Sequence, residues 1–202
     1  MNSKLKLTLG ALLLVGGTAM LTAVVRAQDK QDGADMDPAM RAKLMELATP
    51  GEQHKHLAAM AGTWEQHYKM RWSPDAEWME STGTSTVEPL LGGRYVMEKV
   101  HFDDIMGMPM DGFHMLGFDK MKNEYLSLWA DSMSTWWVTS RGKEGADGKV
   151  EMKGTMVDMS GERPFRMVIH HKGPDAYSFE MYDTIPPHGE IVMMQCEAKR
   201  KM

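Results

Sequence analysis

Hydrophobic and polar residues alternate along the chain from Gly62 onward, with the two-residue period of a β-strand that buries one face. The apolar sides of the runs, which we expect to face inward, carry Trp64, Tyr68 and Met70; Met152 and Met156; Phe165, Met167, Ile169 and His171; and Tyr177, Phe179 and Met181. Glycine, proline, aspartate and asparagine separate the runs at short, even spacing. The pattern predicts about ten short strands with no helical period between them.

Such a succession of strands is typical of a meander that closes into a barrel. We predict a mainly β protein, an antiparallel up-and-down β-barrel of about ten strands over residues 62–202. The same alternation also fits a sandwich of two sheets, which is the alternative fold. A barrel of this size leaves an interior cavity unless long methionine and tryptophan side chains fill it.

One or two short helices are predicted before the barrel, in residues 37–61. Asp37, followed directly by proline, is typical of an N-cap with proline at the first helical position. Thr49 and Glu52 have the spacing of a capping box, so a second helix is expected to follow Thr49 and to run to about Ala61. We expect these helices to cover one mouth of the barrel.

The first 27 residues have the three parts of a secretory signal peptide: two lysines, an apolar stretch and a Val-Arg-Ala cleavage site. We predict cleavage between Ala27 and Gln28, and therefore a periplasmic or secreted protein without a stable membrane span. The alternative is an uncleaved membrane anchor. Residues 28–36 are polar and contain glycine, which predicts a disordered tether.

Charge and cysteine content narrow the possible functions. The formal net charge is −5, and removal of Lys4, Lys6 and Arg26 with the signal peptide changes it to −8. An acidic domain is poorly suited to nucleic acid, because phosphate contacts require clustered lysine and arginine.

Cys196 is the single cysteine, so the chain cannot form an internal disulfide. It lies in an apolar strand, and we expect a buried small hydrophobic residue rather than a nucleophile.

Two segments carry a long and specific pattern, STGTSTVEPLLGG from residue 81 and YLSLWADSMST from residue 125. Together with a Gly-Met-Pro-Met-Asp-Gly segment and LGFD, they resemble the DUF1579 family of uncharacterised bacterial proteins, over roughly residues 62–201. The resemblance implies a lipocalin-like, or calycin, barrel, and it transfers no activity and no catalytic residue. The motif residues that we single out are Glu88, Gly92, Gly93, Trp129, Asp131 and Ser132.

The local chemistry of these segments predicts a tight corner. Pro89 has no N–H to donate to a sheet, so the strand before it should end there. Gly92 and Gly93 then form a turn that tolerates positive φ. Gly62-x-Trp64 resembles the lipocalin Gly-x-Trp signature, which implies that a basic residue late in the last strand, Lys199 or Arg200, covers the tryptophan.

The barrel interior is where we place a function, and a small apolar molecule is the ligand that it suits best. The candidate lumen residues are Trp64, Tyr68, Met70, Met152, Met156, Met167, His171, Phe179 and Met181. Since some calycin barrels bind haem through a histidine in the lumen, the resemblance also makes His171 a candidate haem ligand.

Methionine is unusually frequent, with 23 residues in the chain. One interpretation is an adaptable core filler, and the other is thioether ligation of Cu(I). The candidates for copper are the loop residues Met106, Met108 and Met110, with His101 and His114 on either side. No cofactor is predicted, and haem and copper are kept as alternatives.

No known catalytic motif is present: the sequence has neither Gly-x-Ser-x-Gly nor a zinc-binding histidine spacing. Asp131 and Ser132 are expected to satisfy backbone groups in a turn rather than to act as an acid and a nucleophile. Three hypotheses follow. The protein is a binding barrel for a small apolar ligand, a haem or Cu(I) barrel with redox or isomerase activity, or a structural or stress-related envelope protein with a filled barrel.

Overall fold

The computed structural model describes residues 36–159 and 161–202, which fall into two compact units. The first unit ends at Ala48 and contains helix α1, Pro38–Ala48. Ala39 N donates to Asp37 Oδ1 at 3.2 Å, which confirms the predicted N-cap. The predicted signal peptide, its cleavage site and the tether up to residue 35 lie outside the described residues.

The second unit, residues 49–202, contains helix α2 and a closed barrel of ten antiparallel strands. Helix α2 is Glu52–Ala58, and the strands are β1 Gly62–Met70, β2 Met79–Leu90, β3 Tyr95–Ile105, β4 Met108–Asp119, β5 Glu124–Asp131, β6 Val138–Glu144, β7 Lys149–Asp158, β8 Gly161–His171, β9 Ala176–Ile185 and β10 Gly189–Arg200. Each strand pairs with the next, and β10 pairs with β1. The predicted barrel is confirmed, and the two-sheet alternative is wrong because the sheet closes on itself. In the part of the chain that the structure describes, no helix is long and apolar enough to span a membrane.

The predicted inward faces fill the barrel. Trp64, Tyr68, Met70 and Met152 are all nearly inaccessible to solvent, and they belong to one apolar core. Their outward neighbours are mainly charged and exposed, as the alternation requires. Inward residues of β8 and β9, such as Met167 and Phe179, are only half-buried.

Helix α2 covers part of one end of the barrel, which we call the α2 end. It begins at Glu52 with Gly51 as N-cap, two residues later than predicted, and it stops at Ala58. The capping box was misassigned because His54 performs the capping: its Nδ1 accepts a hydrogen bond from Gly51 N at 3.0 Å. Leu57 of this helix reaches the core, and the helix contacts β2, β3 and β4.

The β2–β3 corner corrects one prediction and confirms another. Strand β2 does not end at Pro89 but continues to Leu90. Val87 pairs with Gly62, the first residue of β1, so Pro89 lies beyond the end of that neighbouring strand, where a missing N–H costs little. Gly92 and Gly93 have φ values of 68° and 80°, as the predicted turn requires.

Trp64 closes the α2 end together with Arg200 of the last strand. The guanidinium carbon of Arg200 lies 4.4 Å from the centre of the Trp64 ring. Arg200 also donates to the carbonyl of Ala59 at 2.9 Å, while Trp64 Nε1 donates to the carbonyl of Met60 at 2.9 Å. The expected basic cover over this tryptophan is therefore Arg200.

Candidate functional site

Six consecutive strands each place one polar side chain inward, although the surrounding core is apolar. These residues, which we call the polar belt, are Gln66 of β1, Ser85 of β2, Glu98 of β3, His114 of β4, Ser127 of β5 and Ser140 of β6. All are buried except His114, which is half-buried. Strands β7 to β10 face them mainly with methionine, phenylalanine, tyrosine and cysteine. The interior therefore has one polar wall and one wall that is largely apolar apart from the ion pair of Arg163 with Asp183.

Glu98 is the centre of the polar belt. Its Oε1 accepts hydrogen bonds from Gln66 Nε2 and from the hydroxyl of Tyr177, each at 3.2 Å. Gln66 Nε2 also donates to the Tyr177 oxygen at 2.7 Å. On the other side, His114 Nδ1 lies 3.4 Å from Glu98 Oε2, and His114 Nε2 lies 3.2 Å from Ser127 Oγ. The contacts join four belt residues and one residue of β9 in a single network.

The carboxyl of Glu98 is ionised at neutral pH despite its burial. Burial alone raises its pKa, but the hydrogen bond and charge of His114 lower it, with help from Ser85 and Tyr177. The balance holds the pKa of Glu98 below its ordinary value. Burying a charge costs several kcal/mol of desolvation free energy, and interactions with its partners offset about the same amount. A gain in stability therefore does not explain why a glutamate occupies this position.

Three buried polar atoms of the belt have no hydrogen-bond partner among the described residues: Gln66 Oε1, Ser85 Oγ and Ser140 Oγ. The amide orientation of Gln66 is determined, because its NH₂ group must face the Glu98 carboxylate. Ser85 lies close enough to lower the pKa of Glu98 but does not meet the geometry of a hydrogen bond. Native proteins leave few such atoms buried and unpaired, so a cluster of three requires an explanation.

The residues of the network are not completely shielded from solvent. The side chains of Glu98 and His114 keep 7% and 13% of their accessible surface, although both point into the barrel. Met167 and Phe179 on the facing wall also keep part of theirs. The ionised network and the apolar wall therefore border the same interior.

Tyr68 and Cys196 lie beside the network on β1 and β10, where Cα pairing places them opposite each other. Burial raises the pKa of both groups, so the thiol and the phenol are neutral at physiological pH. The prediction that Cys196 is a buried small hydrophobic residue is confirmed.

A cavity of about 240 Å³ opens at the α2 end, beside helix α2. Leu57, Trp64, Tyr125 and Val150 form its apolar floor. His171 lies at its rim with much of its surface exposed, rather than in the lumen beside Met167. Although part of the side chain reaches solvent, burial of the ring lowers the pKa of His171, so it is neutral at physiological pH.

A larger cavity of about 710 Å³ is lined mainly by outward-facing residues of β1 to β3 and β7 to β10. Its wall carries outward-facing groups of both charges, including Lys69, Glu80, His170 and Glu197. The inward-facing residues Tyr68, Phe179 and Cys196 also border this cavity, so it reaches the backs of side chains that line the interior.

The predicted lumen residues lie in the interior, with one exception. Trp64, Tyr68, Met70 and Met152 are buried, while Met156, Met167, Phe179 and Met181 are half-buried. His171 is at the rim of the cavity beside helix α2.

The sequence analysis did not identify six residues of the network and belt as site residues: Gln66, Glu98, Tyr177, Ser85, Ser127 and Ser140. The alternation placed Gln66 and Tyr177 on inward faces, and a polar residue on such a face was the signal available.

The residues considered for copper do not form one group. Met106 and Met108 are exposed, whereas Met110 is buried in the core. His101 lies on the outer surface, with Nδ1 2.8 Å from Asp111 Oδ1, and His114 belongs to the polar belt. In residues 36–159 and 161–202, no cluster of three or more His, Cys, Asp or Glu residues could hold a metal ion.

The motif residues of the β5–β6 turn have structural roles. Asp131 accepts hydrogen bonds from Trp129 Nε1 at 2.8 Å and from Met133 N at 3.0 Å. Ser132 Oγ accepts one from Asp111 N at 3.1 Å. The prediction that Asp131 and Ser132 satisfy backbone groups is confirmed. Glu88 is exposed on the outer face of β2.

Residues 49–200 match the family described as "Protein of unknown function (DUF1579)". No curated protein matches the sequence. Among solved structures, Rv2717c from M. tuberculosis is similar with a TM-score of 0.58 at 10% identity, covering 76% of this chain and 100% of its own. The S-type phycobiliprotein lyase CPES from Guillardia theta is similar with a TM-score of 0.53 at 10% identity, covering 74% of this chain and 93% of its own. These likenesses show the fold.

Proposed function

This chain belongs to the DUF1579 family, and we propose that it is an exported binding protein whose barrel holds a small amphipathic molecule. The polar end of the ligand lies against the polar belt, and its apolar part lies against the methionine and phenylalanine side chains of β7 to β9. No chemical step is part of the proposal. The shared fold of a phycobiliprotein lyase is compatible with a ligand-binding barrel.

The observation that carries the proposal is the set of unpaired buried polar atoms around an ionised, buried carboxylate. A barrel that served only as a structural element would be as stable, or more stable, with apolar residues at Gln66, Glu98 and His114. Unpaired buried groups each cost about 1–3 kcal/mol. A ligand that pairs with them recovers this cost on binding, which favours the binding hypothesis over a filled structural barrel.

The chemistry of the belt selects the polar end of the ligand. Gln66 Oε1 can only accept a hydrogen bond, and the Glu98 carboxylate also accepts. A ligand that donates hydrogen bonds, such as an amine or an alcohol, complements these atoms. A carboxylate ligand would bring a second negative charge close to Glu98.

Three amphiphiles with the same alkyl chain test this directly: decylamine, decanol and decanoic acid. We expect calorimetry to show saturable binding of the amine and the alcohol, with dissociation constants of about 1 μM, or about −8 kcal/mol, and weaker binding of the acid. Glu98→Gln should remove the preference for the amine. Glu180→Gln is the matched control, because Glu180 lies on the outer surface and is hydrogen-bonded to Tyr182 and Gln195.

Absence of saturable binding by all three amphiphiles would replace this proposal with the structural hypothesis. Equal binding of the acid and the amine would keep the binding function but refute the assignment of the polar end.

Haem is less well accommodated. The cavity beside His171 measures about 240 Å³, below the roughly 300–1,000 Å³ typical of small-molecule sites. A haem group held there would project into solvent. A Soret band in protein purified from its own host would nevertheless replace the proposed ligand class with haem.

A further inference from the structure

Exposed apolar side chains are concentrated at the end of the barrel opposite the α2 end. We call this group the Trp–Met rim: Trp72, Trp78, Met79, Met106, Met108, Met133, Trp136, Trp137, Val157 and Met159. In an up-and-down barrel, alternate loops lie at the same end. The β1–β2, β3–β4, β5–β6 and β7–β8 connections therefore bring these residues together, although they are spread over 88 positions of the sequence, from 72 to 159.

The concentration is specific to this end. At the α2 end, the large apolar residues of the described chain that are exposed are Leu91, Met121 and the last residue, Met202. Four of the protein's six tryptophans are in the rim, while Trp64 and Trp129 point into the barrel. Trp136 and Trp137 are 50% and 69% exposed. Monomeric proteins rarely expose apolar surface in one continuous region without a partner for it.

The charges around the rim are mainly negative. The acidic residues of these loops and strand ends, as far as the structure describes them, are Asp75, Glu77, Asp104, Asp131, Asp158 and Glu162. The basic ones are Arg71 and Arg163. Arg71 donates to the carbonyl of Val192 at 2.9 Å and lies over the Trp78 ring. Arg163 pairs with Asp183 and with Asp158, which it neutralises, so five acidic residues remain against Arg71.

We propose that the Trp–Met rim docks on a zwitterionic lipid surface. Tryptophan is enriched where a protein meets the headgroup region of a bilayer, because its ring is apolar and its N–H remains hydrated. The outermost charge of phosphatidylcholine or phosphatidylethanolamine is an ammonium group. Acidic side chains and indole faces are both complementary to that cation. An anionic lipid surface is excluded by repulsion from the same acidic residues.

Vesicle co-sedimentation tests the proposal with protein purified from its producing host and with phosphatidylcholine vesicles. We expect the wild type to bind, and the double variant Trp136→Ser with Trp137→Ser to bind about tenfold more weakly or less. Both tryptophans lie in an exposed loop, so the variant should stay folded. The matched control is Leu91→Ser with Met121→Ser at the α2 end, which should bind like the wild type. All three proteins share one N-terminus, so differences between them report on the rim.

Replacing a third of the lipid with phosphatidylglycerol should weaken wild-type binding at low salt. The proposal is overturned if the wild type does not bind phosphatidylcholine, if both double variants lose binding equally, or if anionic lipid strengthens binding. Concentration-dependent self-association that disappears in the tryptophan variant, without vesicle binding, would assign the rim to a contact between copies of the chain and also overturn it.

Discussion

The hydroxyl of Tyr177 on β9 donates a hydrogen bond to Glu98 Oε1 on β3, 3.2 Å away, inside the closed barrel. The two residues are 79 positions apart in the sequence and on strands that are not neighbours in the sheet. This bond joins the polar wall of β1–β6 to the opposite wall. It therefore depends on closure of the barrel and stabilises the charge at its centre.

Tyr177→Phe should destabilise the protein by about 1–3 kcal/mol, because Glu98 loses a donor and Gln66 loses its 2.7 Å partner inside the barrel. Tyr182→Phe is the control on the same strand. Its hydroxyl also donates to a carboxylate, Glu180, but on the outer face, so a change of about 0.5 kcal/mol or less is expected. Urea unfolding measures both. Equal losses would show that the interior network has no special role.

The stability of the wild type should fall as the pH drops below about 4.3, the pKa of an unfolded glutamate. The folded pKa of Glu98 is lowered, so its contribution is complete above the unfolded value and disappears as the pH falls through the folded value. Glu98→Gln should flatten the dependence of the unfolding free energy on pH between about 5 and 3. Glu180→Gln should change it less, since that carboxylate lies on the outer face and is partly screened by solvent. If the unfolding free energy of Glu98→Gln kept the wild-type dependence on pH, the assignment of that dependence to Glu98 would be wrong.

Met167→Trp should weaken binding of the neutral apolar probe Nile red without unfolding the domain, because Met167 is half-buried and faces the interior. Val168→Trp adds the same group to the adjacent outward position, which borders the outer cavity. Fluorescence titration of both variants locates the probe. Loss of binding only in Val168→Trp would move the site to the outer surface, and unfolding of Met167→Trp would show that the interior is already full.

Arg200→Gln should lower the free energy of unfolding by about 1–3 kcal/mol, because the residue stacks on Trp64 and donates to the carbonyl of Ala59 at the α2 end. The neighbouring Lys199→Gln, an exposed position, should change it by about 0.5 kcal/mol or less. Thermal unfolding followed by circular dichroism distinguishes the two. Similar midpoints for both variants would argue against a closing role of Arg200.

Export is also testable. Cleavage of the signal peptide should leave Gln28 as the first residue, as its Val-Arg-Ala site predicts. Intact-mass spectrometry of protein from the producing host measures this. A membrane-retained protein with residues 1–27 still attached would contradict the prediction.

The sequence alone determined what depends on a few neighbouring residues. The alternation at β1 placed Trp64, Tyr68 and Met70 inside, because the direction of a side chain changes with every residue of a strand. The turn at Gly92 and Gly93 was also predictable, because the ability of glycine to adopt a positive φ depends on that residue alone. The start of helix α2 was not predicted correctly, because His54 caps it from within the helix.

Only the tertiary structure decided which inward residues meet. Gln66, Glu98 and Tyr177 were separate positions in the sequence, and the outer two are 111 positions apart. Their contact depends on the register of every strand pair and on the closure of β10 against β1, and alternation does not encode either of these. The Trp–Met rim was hidden for the same reason, since each loop contributes only a few apolar residues. Strand direction is a local property of the chain, whereas a site inside or at the end of a barrel is made by strands that are distant in sequence.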